Sequence, residues 1–115
     1  STLPLAWGQP AWDGDALDDA AVYLRQTADY LAELEESSGR RIILSLEPEP
    51  GCLLQYSTDI VRFFEEHLLA GGDEAAIRRH IGVCHDICHA AVMFEEQTDV
   101  LARFQRLRGR EVRFQ

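Results

Sequence analysis

The stretch from residue 81 to residue 95 constrains the fold of this chain more than any other. It reads IGVCHDICHAAVMFE, an apolar run that gives way to a dense group of metal-binding residue types: Cys84, His85, Asp86, Cys88 and His89. Polar groups at that density are costly inside a buried strand but not at its end, where the chain leaves the core. We therefore expect a strand over residues 81–86 with a functional site at its carboxyl end.

A second stretch has the same organisation. Residues 42–50 read IILSLEPEP, an apolar run followed by the carboxylates Glu47 and Glu49, both next to prolines. A continuous apolar run with β-branched residues is typical of a strand covered on both faces, as in a parallel sheet. Sites in such α/β proteins form beyond the carboxyl ends of the strands, and neighbouring strands lie about 4.8 Å apart. Glu47 and Asp86 are therefore predicted to face one site, where they can share a cation.

A long helix is predicted before the first strand. Apolar residues recur at helical spacing over residues 17–34 and form one stripe. Asp13 or Asp15 can cap the amino end of this helix, and Gly39 fits the position just after its last turn. The stripe should pack against the sheet.

The rest of the chain continues the alternation of helices and strands. Ser57 is predicted to cap a second helix and Asp73 a short third one. Residues 94–107 are predicted to form a last helix. Residues 112–114 alternate in polarity like a final strand. This order specifies parallel strands joined by right-handed crossover helices, so the fold class predicted from the sequence is α/β.

The chemistry at the two strand ends suits a divalent metal. Glu47, Asp86 and His89 offer two carboxylates and an imidazole, a set that fits Zn, Mn, Co or Fe, and also Mg if His89 is not a direct ligand. Strict strand alternation would put Asp86 and His89 on opposite faces, so they converge only if the strand has ended by about Asp86 and the chain curls over the sheet. Two alternatives stay open: Glu47 could pair with an arginine, and the C-x3-C cysteines could join the histidines in a thiolate zinc site.

Composition narrows the class of partner. The 115 residues allow one domain, and 20 Asp plus Glu against 11 Lys plus Arg give a net charge of −9. Such acidity disfavours a nucleic-acid partner, whose phosphates require clustered basic residues. No apolar run reaches the roughly 18 residues of a membrane span, so no membrane association is expected. Three cysteines, an odd number, favour a reducing compartment, and cytoplasmic localisation is expected.

Two motifs together resemble a known superfamily. LEPEPG at residues 46–51 and GVCHDICH at residues 82–89 resemble the xylose isomerase-like TIM-barrel superfamily, which includes sugar isomerases, sugar phosphate epimerases and endonuclease IV-like nucleases. Within this superfamily, the sequences of the two motifs are most similar to those of EboE-type metabolite-traffic proteins. The resemblance implies that Glu47 and Asp86 are metal ligands, that Glu47 can also act as a base, and that His89 binds the metal or the substrate.

The resemblance also implies a fold and a function. It predicts a partial (β/α)8 TIM barrel with about three parallel strands and crossover helices, because a complete barrel needs about 250 residues. Residues 1–115 are thus expected to be an internal fragment of such a domain, a poor catalyst by itself that self-associates through open sheet edges. The intact protein would be a divalent-metal-dependent sugar (phosphate) isomerase or epimerase acting on a small polyhydroxylated metabolite.

Three details qualify that function. Xylose isomerases proper carry a lysine two residues after the first metal-binding Glu, where this chain has Glu49, so xylose isomerase activity itself is not expected. One alternative is a non-enzymatic metabolite-binding or traffic protein that keeps the metal. The other is an endonuclease IV-like metal hydrolase, which the net charge of −9 disfavours.

Overall fold

Helices make up most of the chain. The computed structural model describes residues 1–4, 10, 12–107 and, for the backbone alone, 112–114. In chain order the elements are α1 (Gly14–Ser38), β1 (Leu44–Leu46), α2 (Ser57–Phe63), a π-helical turn (Phe64–Leu68), a 3-10 turn (Leu69–Gly71), α3 (Glu74–His80), β2 (Ile81–His85), α4 (Ile87–Val92), α5 (Gln97–Arg106) and β3 (Val112–Phe114). None of the helices in these residues is both long and apolar enough to cross a bilayer.

The three strands form one small parallel sheet in the order β1-β2-β3. Leu46 pairs with Val83, and Val83 with Val112, so the three strands end at the same edge. Every residue of β2 is buried, as expected for the central strand of a parallel sheet. β1 is shorter than the predicted run of residues 42–46, and Ile42 is 47% exposed because it precedes the paired part.

The predicted partial (β/α)8 TIM barrel is wrong. In the part of the chain that the structure describes, the sheet has three strands of three to five residues and remains open, whereas α1 alone has 25 residues. Alternating helices and strands specify parallel pairing, but they do not specify that a sheet closes on itself. The outer edge of β1 is partly occupied by Ser1, which donates its backbone nitrogen to Ser45 O at 2.9 Å and accepts from Glu47 N at 2.7 Å.

Local signals place α1 as predicted. The side chain of Asp13 accepts from Ala16 N at 3.1 Å and caps the helix. Gly39 takes the left-handed conformation at φ 70° and donates to Glu35 O, which ends the helix. The apolar stripe of α1 packs with the sheet and α2 in one core, whose members include Leu17, Leu46, Ile60, Phe63, Phe64, Ile81, Val83 and Phe104.

Two helix predictions are wrong in detail. The predicted helix over residues 94–107 begins only at Gln97, because Phe94 adopts a left-handed conformation at φ 57° and separates α4 from α5. The amino-terminal cap of α2 is Tyr56 rather than Ser57, and the Asp59 side chain accepts from Tyr56 N at 3.0 Å. The hydroxyl of Ser57 instead donates to Glu95 at 2.5 Å, a residue 38 positions away that local sequence could not indicate.

Candidate metal centre

Glu47 lies at the carboxyl edge of the sheet. It directly follows β1, and since Leu46 pairs with Val83, the next residues along each strand, Glu47 and Cys84, lie side by side. The side chain of Glu47 is only 13% exposed. Its carboxylate is therefore a sheltered charge that needs a compensating partner.

Asp86 both ends β2 and begins α4. Its Oδ1 atom accepts hydrogen bonds from Cys88 N at 2.7 Å and His89 N at 3.1 Å, which makes it the amino-terminal cap of α4. The hydrogen bond from His89 N, followed by that from Cys88 N, lowers the pKa of the Asp86 carboxyl, and its partial burial, which alone would raise the pKa, does not outweigh them. Asp86 is therefore ionised at neutral pH, and its second oxygen lies 3.8 Å from the His89 ring.

His89 joins the two carboxylates because α4 starts where β2 stops. Residues three apart on a helix share a face, so Asp86 and His89 lie on the same side despite the alternation of the preceding strand. Nδ1 of His89 is 3.1 Å from Glu47 Oε1 and 3.8 Å from Asp86 Oδ2. The same nitrogen is shielded from solvent and makes no hydrogen bond.

The donor atoms of these three residues fit a divalent ion. One ligand atom from each lies within 4.8 Å of the others, and this is the only such group of three in the residues that the structure describes. Donors bound at about 2.1 Å to one ion are at most about 4.2 Å apart, so a small contraction of the side chains would complete the contacts.

The buried His89 nitrogen lies where such an ion would bind. A buried nitrogen without a hydrogen bond is unfavourable, and this one lies 3.1 Å from Glu47 Oε1 and 3.8 Å from Asp86 Oδ2. Either a cation shared by Glu47, Asp86 and His89, or a proton on Nδ1 that creates an ion pair, removes that penalty. These two states differ in their response to added metal, so they can be told apart by experiment.

Cys84 is a neighbour of the cluster that sequence reasoning missed. It is buried, and its thiol lies beside the Glu47 carboxylate. Burial, together with the charge of Glu47 and a hydrogen bond to it, raises the pKa of the Cys84 thiol, so the thiol stays protonated. The signal that could have found this contact is the strand register, which sequence does not reveal.

The structure does not bring together the residues of the alternative thiolate site. Cys84 is buried and Cys88 is exposed. His85 is also buried, with Nε2 2.6 Å from Gln97 Oε1 and its ring edge-on to Phe104 at 5.9 Å. Among the side chains that the structure describes, the ion-pair partner of Glu47 is His89 rather than an arginine.

The remaining histidines and Glu49 lie outside the cluster. Nδ1 of His67 is 2.6 Å from Asp18 Oδ1 on α1. His80 is fully buried and its Nδ1 donates to Ile42 O at 2.9 Å. Glu49 is half-buried and accepts a long hydrogen bond from Cys52 Sγ at 3.8 Å, which makes it a suitable control for charge changes at Glu47.

Comparison with known proteins adds no name to this site. No family model, curated protein or solved structure matches the chain significantly. The resemblance to the xylose isomerase-like superfamily thus stays a prediction from the motifs at residues 46–51 and 82–89.

Proposed function

We propose that Glu47, Asp86 and His89 bind a divalent cation and that the protein uses it to bind and convert a small polyhydroxylated metabolite, as a sugar (phosphate) isomerase- or epimerase-like protein does. The observation that carries this proposal is the convergence of three donor atoms within 4.8 Å around a buried nitrogen that has no hydrogen bond. Two oxygens and one imidazole nitrogen favour Mn, Zn or Co over Mg.

The three side chains have separate roles in this proposal. Asp86 is fixed by its capping bonds, so one of its oxygens is oriented before any ion binds. Glu47 supplies the most shielded negative charge, and an oxygen of its carboxylate that does not bind the ion can accept a proton from a substrate carbon or hydroxyl. His89, 30% exposed, is the member of the cluster best placed to reach a substrate as well. When bound, the ion would polarise a substrate oxygen.

Metal binding is the first experiment. Titration calorimetry with Mn²⁺ and with Zn²⁺ should show one ion bound per chain, and Glu47→Gln should weaken the affinity by at least about tenfold, or about 1.4 kcal/mol. Glu49→Gln removes the same charge two residues away and should leave the affinity within about twofold. In the wild type, Zn²⁺ should also shift the NMR resonance of His89 Nδ1, the nitrogen of the cluster.

Two outcomes would contradict the proposal. If the wild type binds neither ion, His89 and the carboxylates form only an ion pair. If Glu49→Gln weakens binding as much as Glu47→Gln, the response reflects the general negative charge of the chain, which is −9, rather than this site.

A metabolite-binding protein without turnover is the second candidate. It is favoured by one observation: within the described residues, the cluster has no carboxylate other than its two candidate ligands, so a proton would have to be moved by Glu47 while it also binds the ion. A panel of aldoses, ketoses and their phosphates, incubated with Mn²⁺ in D2O, separates the two candidates. An isomerase or epimerase exchanges a carbon-bound proton of one sugar for deuterium, whereas a carrier binds the sugar without exchange.

A further inference from the structure

A second site lies away from the metal cluster, between α2 and α5. These helices enclose an open cleft of about 210 Å³. Its lining residues are Thr58, Val61, Arg62, Glu65, Arg103 and Arg106. None of them belongs to the metal cluster, so the cleft requires a separate explanation.

The cleft concentrates guanidinium groups in an acidic protein. The chain has a net charge of −9 and no lysine, so its 11 basic residues are all arginines, and three of them meet here. The planar fork of an arginine matches two oxygens of a phosphate or carboxylate at once, which a lysine cannot do. Arginines gathered around a concavity therefore favour an oxyanion as the ligand.

One of the three guanidinium groups is held in place by the core. Arg103 Nη1 donates to Ser57 Oγ at 3.0 Å and lies 3.5 Å from Glu95 Oε1, and Ser57 is fully buried. This arrangement uses one nitrogen of the fork and leaves the other N–H groups available. Arg103 is thus oriented before a ligand arrives, which reduces the entropy that binding must overcome.

The other two arginines differ in how far they are engaged. Arg62 donates from Nε to Glu66 Oε2 at 2.9 Å and stacks over the Trp12 ring at 4.1 Å, so its position is also restrained. Arg106 is exposed and has no ion pair or hydrogen bond to the described residues. It therefore provides the charge in the cleft that is not already neutralised, while Glu65 opposes an anion.

We propose that this cleft binds a small oxyanion, the phosphate group of a phosphorylated metabolite or free inorganic phosphate. Its volume of about 210 Å³ is below the roughly 300–1,000 Å³ of sites that enclose a drug-sized ligand, so it suits a single anionic group. Because the arginines are partly exposed and two of them already pair with carboxylates, the affinity for phosphate is expected to be about millimolar.

NMR titration of the protein with inorganic phosphate tests this site. With EDTA present, so that the metal cluster plays no part, phosphate should shift the backbone amides of Thr58, Arg103 and Arg106 in a saturable manner, and chloride at equal ionic strength should not. Arg106→Gln should weaken phosphate binding by about fivefold, the upper end of what one exposed ion pair contributes. Glu65→Gln should strengthen it.

The matched control is Arg40→Gln. Arg40 is exposed in the segment after α1, so this variant loses the same charge outside the cleft and should bind phosphate like the wild type. A sugar phosphate that binds more tightly than phosphate identifies a metabolite as the source of the anion, and equal affinities identify phosphate itself. The proposal is overturned if millimolar phosphate gives no saturable shifts, or if Arg106→Gln and Arg40→Gln behave alike.

Discussion

The contact between Glu95 and Ser57 is a long-range polar link between sheltered side chains, and removing it gives a sharp test of the structure. The Glu95 carboxylate accepts from Ser57 Oγ at 2.5 Å and from Ser57 N at 3.1 Å. It connects the start of α2 to the turn after α4, the helix that carries His89. Ser57 is fully buried and the Glu95 side chain is 11% exposed, so water cannot easily replace either partner.

The cost of Glu95→Ala follows from these contacts. It leaves two buried donors of Ser57 without their acceptor; a buried donor without an acceptor costs about 1–3 kcal/mol, and the hydroxyl, which can rotate, should cost only about 1 kcal/mol of the total. Loss of the ion pair with Arg103, whose side chain is 31% exposed, adds little. We expect the free energy of unfolding to fall by about 2–4 kcal/mol, a large fraction of the roughly 5–15 kcal/mol of a small domain.

Urea unfolding at equilibrium measures this loss. Glu95→Gln keeps one acceptor oxygen, which can still accept from both donors of Ser57, and should cost about 1 kcal/mol, because the charge is lost and the other oxygen becomes an amide donor. Glu96→Ala is the matched control: Glu96 is the exposed neighbour, its side chain does not cap α5, and its loss should change the free energy by no more than about 0.5 kcal/mol. The slope of unfolding free energy against urea should stay the same in all three variants.

The result that would refute this reasoning is equality of Glu95→Ala and Glu96→Ala. In that case Ser57 either finds another acceptor or is not buried against Glu95, and the position of α4 relative to α2 would need revision. If Glu95→Ala lowers the free energy of unfolding by about 2–4 kcal/mol and Glu96→Ala leaves it unchanged, the Glu95–Ser57 contact has the predicted strength.

Three further predictions test other parts of the structure. Hydrogen bonds from His89 N and Cys88 N lower the pKa of Asp86. Its carboxylate therefore contributes stability that is present above the ordinary aspartate pKa of about 3.9 and is lost as the pH falls through the folded pKa. Asp86→Asn, which keeps a capping oxygen, should therefore make the free energy of unfolding less dependent on pH in that window. Phe94→Gly should raise the free energy of unfolding by about 0.5–1 kcal/mol, since Phe94 is 95% exposed and strained at φ 57°, whereas Phe94→Ala should give no such gain in the same urea assay. Gly39→Ala should lower the free energy of unfolding by about 1 kcal/mol, because the left-handed conformation at φ 70° is unfavourable for alanine. A neutral result would mean that α1 ends at another residue.

Contacts close in sequence were predictable. The caps of α1 and α3 depend on Asp13 and Asp73 and the residues just after them, and both follow directly from the order of residue types. The strand over residues 81–85 was readable for the same reason, since its composition reports burial on both faces. That Glu47 and Asp86 follow two strands was therefore visible before any coordinates, while the binding of a metal there stays a prediction.

Long-range arrangement was not predictable in the same way. The TIM barrel was implied by the resemblance of two short motifs to a superfamily, and such motifs do not determine how many strands pair or whether the sheet closes. The predicted self-association through open sheet edges stays a prediction. Phe94 also broke a helix whose apolar spacing looked continuous, because the chain turns there to place Glu95 beside Ser57.

The sequence by itself determined the kinds of elements, their order and the polar residues at the strand ends, since these depend on periodicity and capping within a few residues. Tertiary structure alone shows that the sheet is open, that Cys84 lies against Glu47, and that His89 lies beside Glu47. The reason is that these features arise from pairing between residues about 40 positions apart, which strand register and packing select and local composition does not encode.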